Sequence, residues 1–346
     1  MPAILLGIAF LSIAFSPGIK PGTVAQGEQP QVAIDNHGTI RVVFGRQDKI
    51  FCSTSDDHGV TFSQPVLVAQ VSKMHLGMSR GPQLASSATY SVITAQDQSG
   101  NIHWYKLKNS TGAWETMGII NDLKGSAPEG LMGIAADKKD NFYAVWLDTR
   151  AGGGNNIFFS ALPDKAVNWS KNRLVYRSPD MLVCGCCKPS IAVHGSEVAI
   201  MFRNWLNGSR DLYLLKSLNS GASFAAAQKL GMDTWKLNGC PMDGGGITID
   251  GSNVIRTTWQ RKGMVYFCQP GEPEIYIGKG RNCNISGTGN NTVLTFQNND
   301  TVKVISIKNK NEIAVGEGGF LKSIVLPDNK ILCVWELGDE IKFKII

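Results

Sequence analysis

Short apolar runs, separated by glycine, proline and polar residues, follow one another along most of the chain. Each unit begins with a Gly/Pro-rich loop, passes through a short apolar segment and a polar turn, and ends in a longer apolar segment near Trp or Phe. Short apolar runs bounded by turn residues are typical of β-strands. The unit recurs at residues 29–45, 81–97, 128–148, 187–204, 240–260, 282–298 and 318–336.

A third apolar segment follows the first two in each of the first five units, and a fourth comes after it. KIFCSTS from Lys49 and NIFFSAL from Asn156 are examples of the third segment. Four strands recurring every roughly 35 to 60 residues are typical of radially repeated blades. The sequence therefore predicts an all-β fold, a β-propeller of four-stranded blades. Seven blades are favoured, and six are possible because the sixth copy is irregular.

The last unit contains only three strand-like segments before the chain reaches Ile346. An incomplete blade would leave an exposed sheet edge, which closed architectures avoid. We therefore predict that residues around Gly22 to Gln29 supply the missing strand and close the ring.

Composition agrees with this fold and narrows the range of partners. Glycine accounts for 38 of the 346 residues, and charged residues for only 18%. This suits many short strands and tight turns and argues against a helical bundle. The formal net charge of +6 is spread along the chain without a lysine-rich run. No nucleic-acid partner is expected, and small acidic ligands are weakly favoured.

The chain begins with an apolar run from Ala3 to Phe15. This run is too short for a membrane span and fits the hydrophobic region of a secretory signal. We expect residues 1–25 to be a signal peptide cleaved among the small residues at 22–25. Residues 26–346 would then form one monomeric domain, secreted or periplasmic. Because no positive charge precedes the run, an uncleaved N-terminus that is buried or acts as an anchor stays open.

Two turns share a pattern: residues 55–62 read SDDHGVTF, and residues 217–224 read SLNSGASF. In such turns the Asp57 carboxylate or Asn219 amide and the preceding Ser hydroxyl cap backbone amides, Gly takes a positive φ, and the aromatic residue plugs the blade. These turns resemble the Asp-box, or BNR, repeats of the sialidase superfamily. The resemblance implies a propeller over nearly the whole chain and a structural role for the turns themselves.

The same resemblance implies an acidic glycan as ligand and an exo-glycosidase type of hydrolysis. Sialidases hold the acidic group with an arginine cluster and use a Tyr–Glu pair with an Asp acid/base. No tyrosine of this chain falls in the loops described next, and the family's Arg-Ile-Pro segment is replaced by Phe44-Gly45-Arg46-Gln47. Binding with hydrolysis and binding alone therefore both stay open.

In a propeller, the loops that lead into each innermost strand lie on the same face as those that join the second and third strands. Glycine-, arginine- and cysteine-rich segments of this chain fall in these two sets of loops, which makes that face the candidate site. Guanidinium groups converging on one axis suit a carboxylate or sulfate. The candidate substrate-binding residues are Arg46, Arg80, Arg150, Arg203, Arg261 and His75. Alternatively, each arginine pins its own loop through a neighbouring carboxylate such as Asp48, Asp148 or Asp211.

Glycoside hydrolysis also needs two groups with separated pKa values a few ångströms apart. Glu129 and Asp243 are the best carboxylate candidates in these loops.

Four cysteines, with a methionine, fall in two successive loops of the same face: Cys184, Cys186, Cys187, Cys240 and Met242. A disulfide from Cys240 to one of the other three would join the two loops in an exported protein. Alternatively, thiolates and a thioether form a soft-metal site for copper or zinc, and no cofactor is needed otherwise. Cys52, Cys268, Cys283 and Cys333 are interpreted as buried fillers.

Two functions thus compete. The first is an exported sialidase-like propeller that binds, and hydrolyses, an acidic glycan or glycoconjugate. The second is a non-catalytic scaffold or metal-binding propeller with a copper-type site at the cysteines.

Overall fold

A computed structural model describes residues 20–287 and 289–346 of the chain. These residues form seven four-stranded antiparallel sheets, with one short 3-10 turn at Gly289–Asn291. The seven-bladed propeller predicted from the repeat is therefore confirmed. Among these residues, no helix is long and apolar enough to cross a membrane. Most of the predicted signal peptide, residues 1–19, lies outside the described residues.

Strands are numbered β1 to β28 in chain order, and each blade runs from an innermost to an outermost strand. The innermost strands of blades 1 to 7 are β2 (Glu28–Ile34), β6 (Gln83–Ser86), β10 (Met132–Ala136), β14 (Ser190–His194), β18 (Gly246–Ile249), β22 (Arg281–Ser286) and β26 (Gly319–Val325). The second strands are β3 (Ile40–Arg46), β7 (Tyr90–Gln96), β11 (Phe142–Asp148), β15 (Glu197–Arg203), β19 (Ile255–Arg261), β23 (Val293–Asn298) and β27 (Ile331–Leu337).

The two outer positions of each blade complete the sheets. The third strands are β4 (Lys49–Ser55), β8 (Ile102–Lys108), β12 (Asn156–Leu162), β16 (Leu212–Ser217), β20 (Met264–Cys268), β24 (Thr301–Ser306) and β28 (Glu340–Ile345). The outermost strands are β5 (Val66–Gln70), β9 (Trp114–Ile119), β13 (Arg173–Tyr176), β17 (Gln228–Lys229), β21 (Ile275–Lys279), β25 (Glu312–Glu317) and, closing blade 7, β1 (Gly22–Gln26).

The hydrophobic core is a ring of interfaces between neighbouring blades. Successive side chains of a strand point to opposite faces of its sheet. In β11, Phe142 and Trp146 pack in the cluster shared with blade 2, whereas Tyr143 and Leu147 pack in the cluster shared with blade 4. Every residue of β11 is buried. A sheet covered on both faces needs apolar residues at every position, which explains the continuous apolar runs of the second strands.

The ring closes in blade 7, where the N-terminal strand β1 pairs antiparallel with the C-terminal strand β28. Val24 of β1 is buried in the cluster between blades 7 and 1. Gly22 lies directly over Phe343, because a Cβ placed there would approach that ring to 2.3 Å. The predicted closure by this segment is confirmed. A cleavage after residue 25 would remove this strand.

The turn at residues 55–62 has the hydrogen bonds that its sequence predicts. Asp57 Oδ1 accepts bonds from the Thr61 backbone N–H at 2.9 Å and the Ser55 hydroxyl at 2.7 Å. Gly59 takes a φ of 86° and donates its N–H to Ser55 Oγ. The hydrogen bonds to Asp57 lower its pKa to about 2, and the bond from the Thr61 hydroxyl contributes most to this shift. The turn at residues 217–224 repeats the arrangement with Asn219 in place of Asp57.

We expect a chain that starts at Gly27 to be less stable than one that starts at Lys20. Removing β1 exposes the edge of β28 and the apolar surface that Val24 covers, which should cost at least ~2 kcal/mol of unfolding free energy. Urea unfolding of the two truncated proteins measures the difference. Equal unfolding free energies would mean that β1 does not stabilise the ring.

Candidate functional site

The predicted loops do share one face, which we call the upper face. The innermost strands run away from it, so the loops that lead into them lie there together with the turns between second and third strands. The structure places all the predicted site residues in or beside these loops. Most of their polar groups, however, bind other parts of the protein.

His75 and Arg80 hold the loop that leads into blade 3. His75 Nε2 lies 2.9 Å from the Pro128 carbonyl oxygen, and Arg80 Nε donates to the Glu129 carbonyl at 2.6 Å. Burial lowers the pKa of His75. The Glu129 carboxylate accepts a bond from Asn155 Nδ2 at 3.1 Å. The three predicted residues thus tie two successive loops together.

Arg150 and Arg261 are bound in ion pairs on their own sides of the ring. Arg150 contacts Asp148 and Asp122. Burial opposes the charge of Arg150, but the hydrogen bonds that it donates to these carboxylates outweigh burial and raise its pKa. Arg261 contacts Glu274 at 2.6 Å and Asp233 at 3.0 Å. At these two positions the contacts are those of the loop-pinning alternative.

Arg203 is almost fully buried, with 1% of its surface exposed. Its guanidinium donates to the backbone carbonyl oxygens of Asp243, Arg210 and Gln260 at 2.8 to 3.1 Å. Arg203 therefore connects the loops of blades 4 and 5 through buried hydrogen bonds. Arg46, by contrast, is exposed at the surface, with its guanidinium 4.4 Å from the Phe51 ring centroid.

An open cavity of about 510 Å³, which we call the upper pocket, lies on this face beside blades 5, 6 and 7. It combines apolar surface with several polar side chains. Its walls are Met78, Pro241, Met242, Asp243, Arg281, Asn282, Gln297, Asp300, Gly318, Gly319, Phe320, Glu336 and Gly338. Of the residues predicted from sequence, Asp243 and Met242 line it, whereas Glu129 and the predicted arginines do not.

Two carboxyl groups of the upper pocket have raised pKa values. Asp243 is buried, and burial raises its pKa although Arg203 opposes the shift. Its oxygens accept bonds from the backbone N–H groups of Gly245 and Asn282. Burial also raises the pKa of Glu336, which accepts bonds from the backbone N–H and side chain of Gln29. Groups of this kind are favoured in proton transfer.

Four side-chain-bearing residues in the pocket wall have left-handed backbone conformations, with φ between 51° and 53°: Met78, Met242, Asn282 and Phe320. Such conformations are uncommon outside glycine and cluster at functional sites. In blades 6 and 7 they coincide with bulges at the start of the innermost strands, between Arg281 and Asn284 and between Gly319 and Lys322. Bulges re-aim side chains.

Sequence reasoning missed Arg281 and Glu336. Arg281 is exposed at the pocket and forms no ion pair within 4.0 Å among the described residues. It directly precedes the sixth unit, whose irregular sequence concealed the loop that leads into it. Glu336 follows Trp335 at the end of the seventh second strand, where units 4 and 5 carry Arg203 and Gln260. The repeat alignment itself was the signal for Glu336.

The predicted disulfide joins Cys186 and Cys240, linking the loops that lead into blades 4 and 5. Cys184 and Cys187 remain free and buried. Their Sγ atoms lie 3.4 Å apart, and Cys186 Sγ lies 3.5 Å from Cys184. The expected fillers are free and buried: Cys52, Cys268, Cys283 and Cys333.

Cys184 is the acidic thiol of this group. A hydrogen bond from the Cys187 thiol, together with the charge of Arg210, lowers the pKa of Cys184 to about 6. Arg210 donates directly to Cys184 Sγ at 2.9 Å. Burial raises the pKa of Cys187. The pair therefore consists of a thiolate and a thiol near neutral pH.

Solved structures share the fold at low sequence identity. The SapL1 lectin, solved with alpha methyl fucoside, aligns with a TM-score of 0.54 and 11% identity over 84% of this chain and 97% of that one. An ulvan lyase bound to -[GlcA(1-4)Rha3S]- aligns at 0.54 and 10% over 94% and 96%. The sialidase of Trypanosoma rangeli, solved with the inhibitor DANA, aligns at 0.53 and 9% over 92% and 55%.

These likenesses show that the fold is a β-propeller shared with a lectin, a polysaccharide lyase and a sialidase. No family profile matches the sequence. No curated protein matches it either.

We expect Arg203→Lys to destabilise the protein by about 3 kcal/mol, because a lysine cannot reach three buried carbonyl groups at once. Arg46→Lys is the matched control and should change the unfolding free energy by less than ~0.5 kcal/mol, since that side chain is exposed. Urea unfolding measures both. A tolerated Arg203→Lys would remove the structural role assigned to this guanidinium.

Proposed function

We propose that this protein is an exported glycan-binding propeller whose upper pocket binds an acidic sugar. The observation that carries the proposal is the unpaired guanidinium of Arg281 beside Asn282 and Gln297 in a pocket that also offers Phe320 and Met242. Sugars need hydrogen-bonding groups together with apolar surface for their C–H faces. A free guanidinium adds the fork that binds a carboxylate or sulfate.

The structural neighbours support a carbohydrate ligand. The three neighbours were solved with a fucoside, with the inhibitor DANA and with a saccharide containing GlcA and Rha3S. The last of these is acidic. Because fold likeness at this identity does not fix a ligand, the acidic character is proposed here from Arg281.

Hydrolysis of the bound glycan is the finer part of the proposal. Asp243 and Glu336 line the same pocket and both have raised pKa values. A raised pKa favours the protonated form of a carboxyl group, which is the form that a general acid needs. Asp243, predicted from sequence, is therefore retained as the candidate acid. Glu336 is proposed as the second carboxyl group of the pocket, the role for which Glu129 was the candidate from sequence.

Export is proposed from the apolar N-terminal run together with the disulfide between Cys186 and Cys240. Disulfides persist in oxidising compartments. Because β1 begins at Gly22 and closes the ring, we place the proposed cleavage ahead of Gly22. The protein is proposed to act as a monomer outside the cytoplasm.

The proposal predicts that Arg281→Ala weakens binding of acidic saccharides at least tenfold, because the charged fork is lost. Calorimetric titration with a panel of sialosides, uronic acid saccharides and sulfated saccharides measures this effect. Arg46→Ala is the control, since Arg46 lies on the same face outside the pocket and should leave affinity unchanged.

Equal affinities of the Arg281→Ala variant and the unmodified protein would contradict the proposal. Sugar release from the same panel tests hydrolysis, with Asp243→Asn and Glu336→Gln expected to abolish it while binding persists. No release at any pH would leave a binding protein without hydrolase activity.

A second candidate function is binding of a soft metal at the cysteines. The Sγ atoms of Cys184, Cys186 and Cys187 lie 3.4 to 3.9 Å apart. Tetrahedral zinc with Zn–S bonds of about 2.3 Å requires S···S distances of about 3.8 Å. Reduction of the disulfide would free the thiolates of both Cys186 and Cys240. Met242, on the same loop as Cys240, offers a thioether suited to Cu(I). The guanidinium groups of Arg203 and Arg210 would offset the negative charge of the thiolates.

If this site operates, the protein purified under reducing conditions should retain about one equivalent of zinc or copper per chain. Replacing Cys184 and Cys187 by serine should release it, because two of the ligands are lost. Cys333→Ser, at a buried cysteine of blade 7, is the control. Mass spectrometry measures the metal content. A content below about 0.1 equivalent in all the reduced proteins would exclude the site.

A further inference from the structure

Beneath the upper pocket, a narrow shaft follows the axis of the propeller. A neck of about 20 Å³ shares Asp243 and Phe320 with the upper pocket. The same neck shares Lys188 and Lys322 with a deeper cavity of about 130 Å³, which we call the axial chamber. The three cavities therefore adjoin one another along the axis.

All seven blades contribute to the wall of the axial chamber, so it lies on the axis itself. Its polar side chains come from different blades: Gln31, Gln83, Lys188, Ser190, Asn284 and Lys322. The bulge between Gly319 and Lys322 sets the position of Lys322. The chamber is thus a polar cavity built from separate strands rather than a gap between apolar side chains.

The side chains of Lys188 and Lys322 line this chamber. Lys188 Nζ donates to Gln83 Oε1 at 2.8 Å. Neither Lys188 nor Lys322 forms an ion pair within 4.0 Å in the described part of the chain. Burial lowers the pKa of both lysines. The charge of Lys322 lowers the pKa of Lys188 further, whereas the charge of Asp243 raises the pKa of Lys322.

Among the described residues, Asp243 is the one acidic residue that lines the neck, and its oxygens accept bonds from the backbone N–H groups of Gly245 and Asn282. Beyond its bond to Gln83, Lys188 has two N–H donors left, and Lys322 has three. Asn284 adds a neutral amide donor in the same wall, whereas the Ser190 hydroxyl already donates to the Gly245 carbonyl at 2.8 Å. Among the described residues, the chamber and its neck therefore hold two lysine side chains against one carboxyl group.

We propose that the axial chamber binds one small oxyanion between Lys188 and Lys322. At about 130 Å³ it has room for about four water molecules of ~30 Å³ each, which suits a carboxylate or sulfate group but not a sugar ring. The anion enters either as a free ion or as the acidic substituent of a saccharide held in the upper pocket. Only this second source rests on the proposed function.

Calorimetric titration and thermal unfolding of the full chain test the proposal, with sodium sulfate and sodium acetate as probes at constant ionic strength. Sulfate should raise the unfolding midpoint of the unmodified protein by several degrees through binding to the folded state. Lys322→Met should lose this rise and weaken sulfate binding at least tenfold. Lys308→Met, at an exposed lysine, should behave as the unmodified protein does.

Equal sulfate affinity in Lys322→Met and the unmodified protein would overturn the proposal. Methionine matches lysine in length and removes a repelled charge, so this variant should fold. Lys188→Met provides the same test if Lys322→Met does not fold.

Loss of sulfate binding in these variants with saccharide affinity intact would assign the chamber to a free anion. Loss of both would assign it to the acidic substituent of the saccharide. Loss of saccharide binding in Arg281→Ala with sulfate binding intact confirms that the two sites are separable.

Discussion

The packing of apolar side chains on both faces of every sheet is the constraint on which the rest of the molecule depends. No blade buries both its faces alone, since Phe142 and Tyr143 of one strand belong to interfaces with different neighbours. Each blade therefore needs two partners, and only a closed ring supplies them to all seven. The pairing of β1 with β28 completes that ring. Residues separated by hundreds of positions reach one axial shaft for this reason.

The upper face illustrates how structural and ligand-binding uses of polar groups compete. The guanidinium groups of Arg150, Arg203 and Arg261 donate to carboxylates and backbone carbonyls and so hold the loops in place. Arg281 and Lys322 have no such partners within the described residues. Groups whose charge is already balanced gain little from a ligand, whereas an unbalanced cation gains a great deal. Balance of charge, rather than residue type, therefore distinguishes the candidate site from its scaffold.

The fold was largely predictable from the sequence because the repeat is a local property. Local sequence is enough to recognise the apolar runs, the turn at residues 55–62 and the missing fourth strand of the last unit. The candidate site was less predictable. Asp243 was found from its loop, but the role of Glu129 and of the arginines depends on which carbonyl or carboxylate lies opposite, and that is set by other blades. The positions of Arg281 and Lys322 depend on β-bulges, and the alternating polar and apolar pattern of a strand does not show where a bulge lies.

The closing strand also decides how the protein presents itself to its surroundings. β1 starts beside Phe343 and β28 ends at Ile345, so Gly22 and Ile346 both lie at the lower face, away from the upper pocket. Any tether, partner domain or immobilising tag joined at either of these residues would leave the molecule on that side. The pocket and its shaft would then point outward from the surface to which the protein is attached, open to large polymeric ligands.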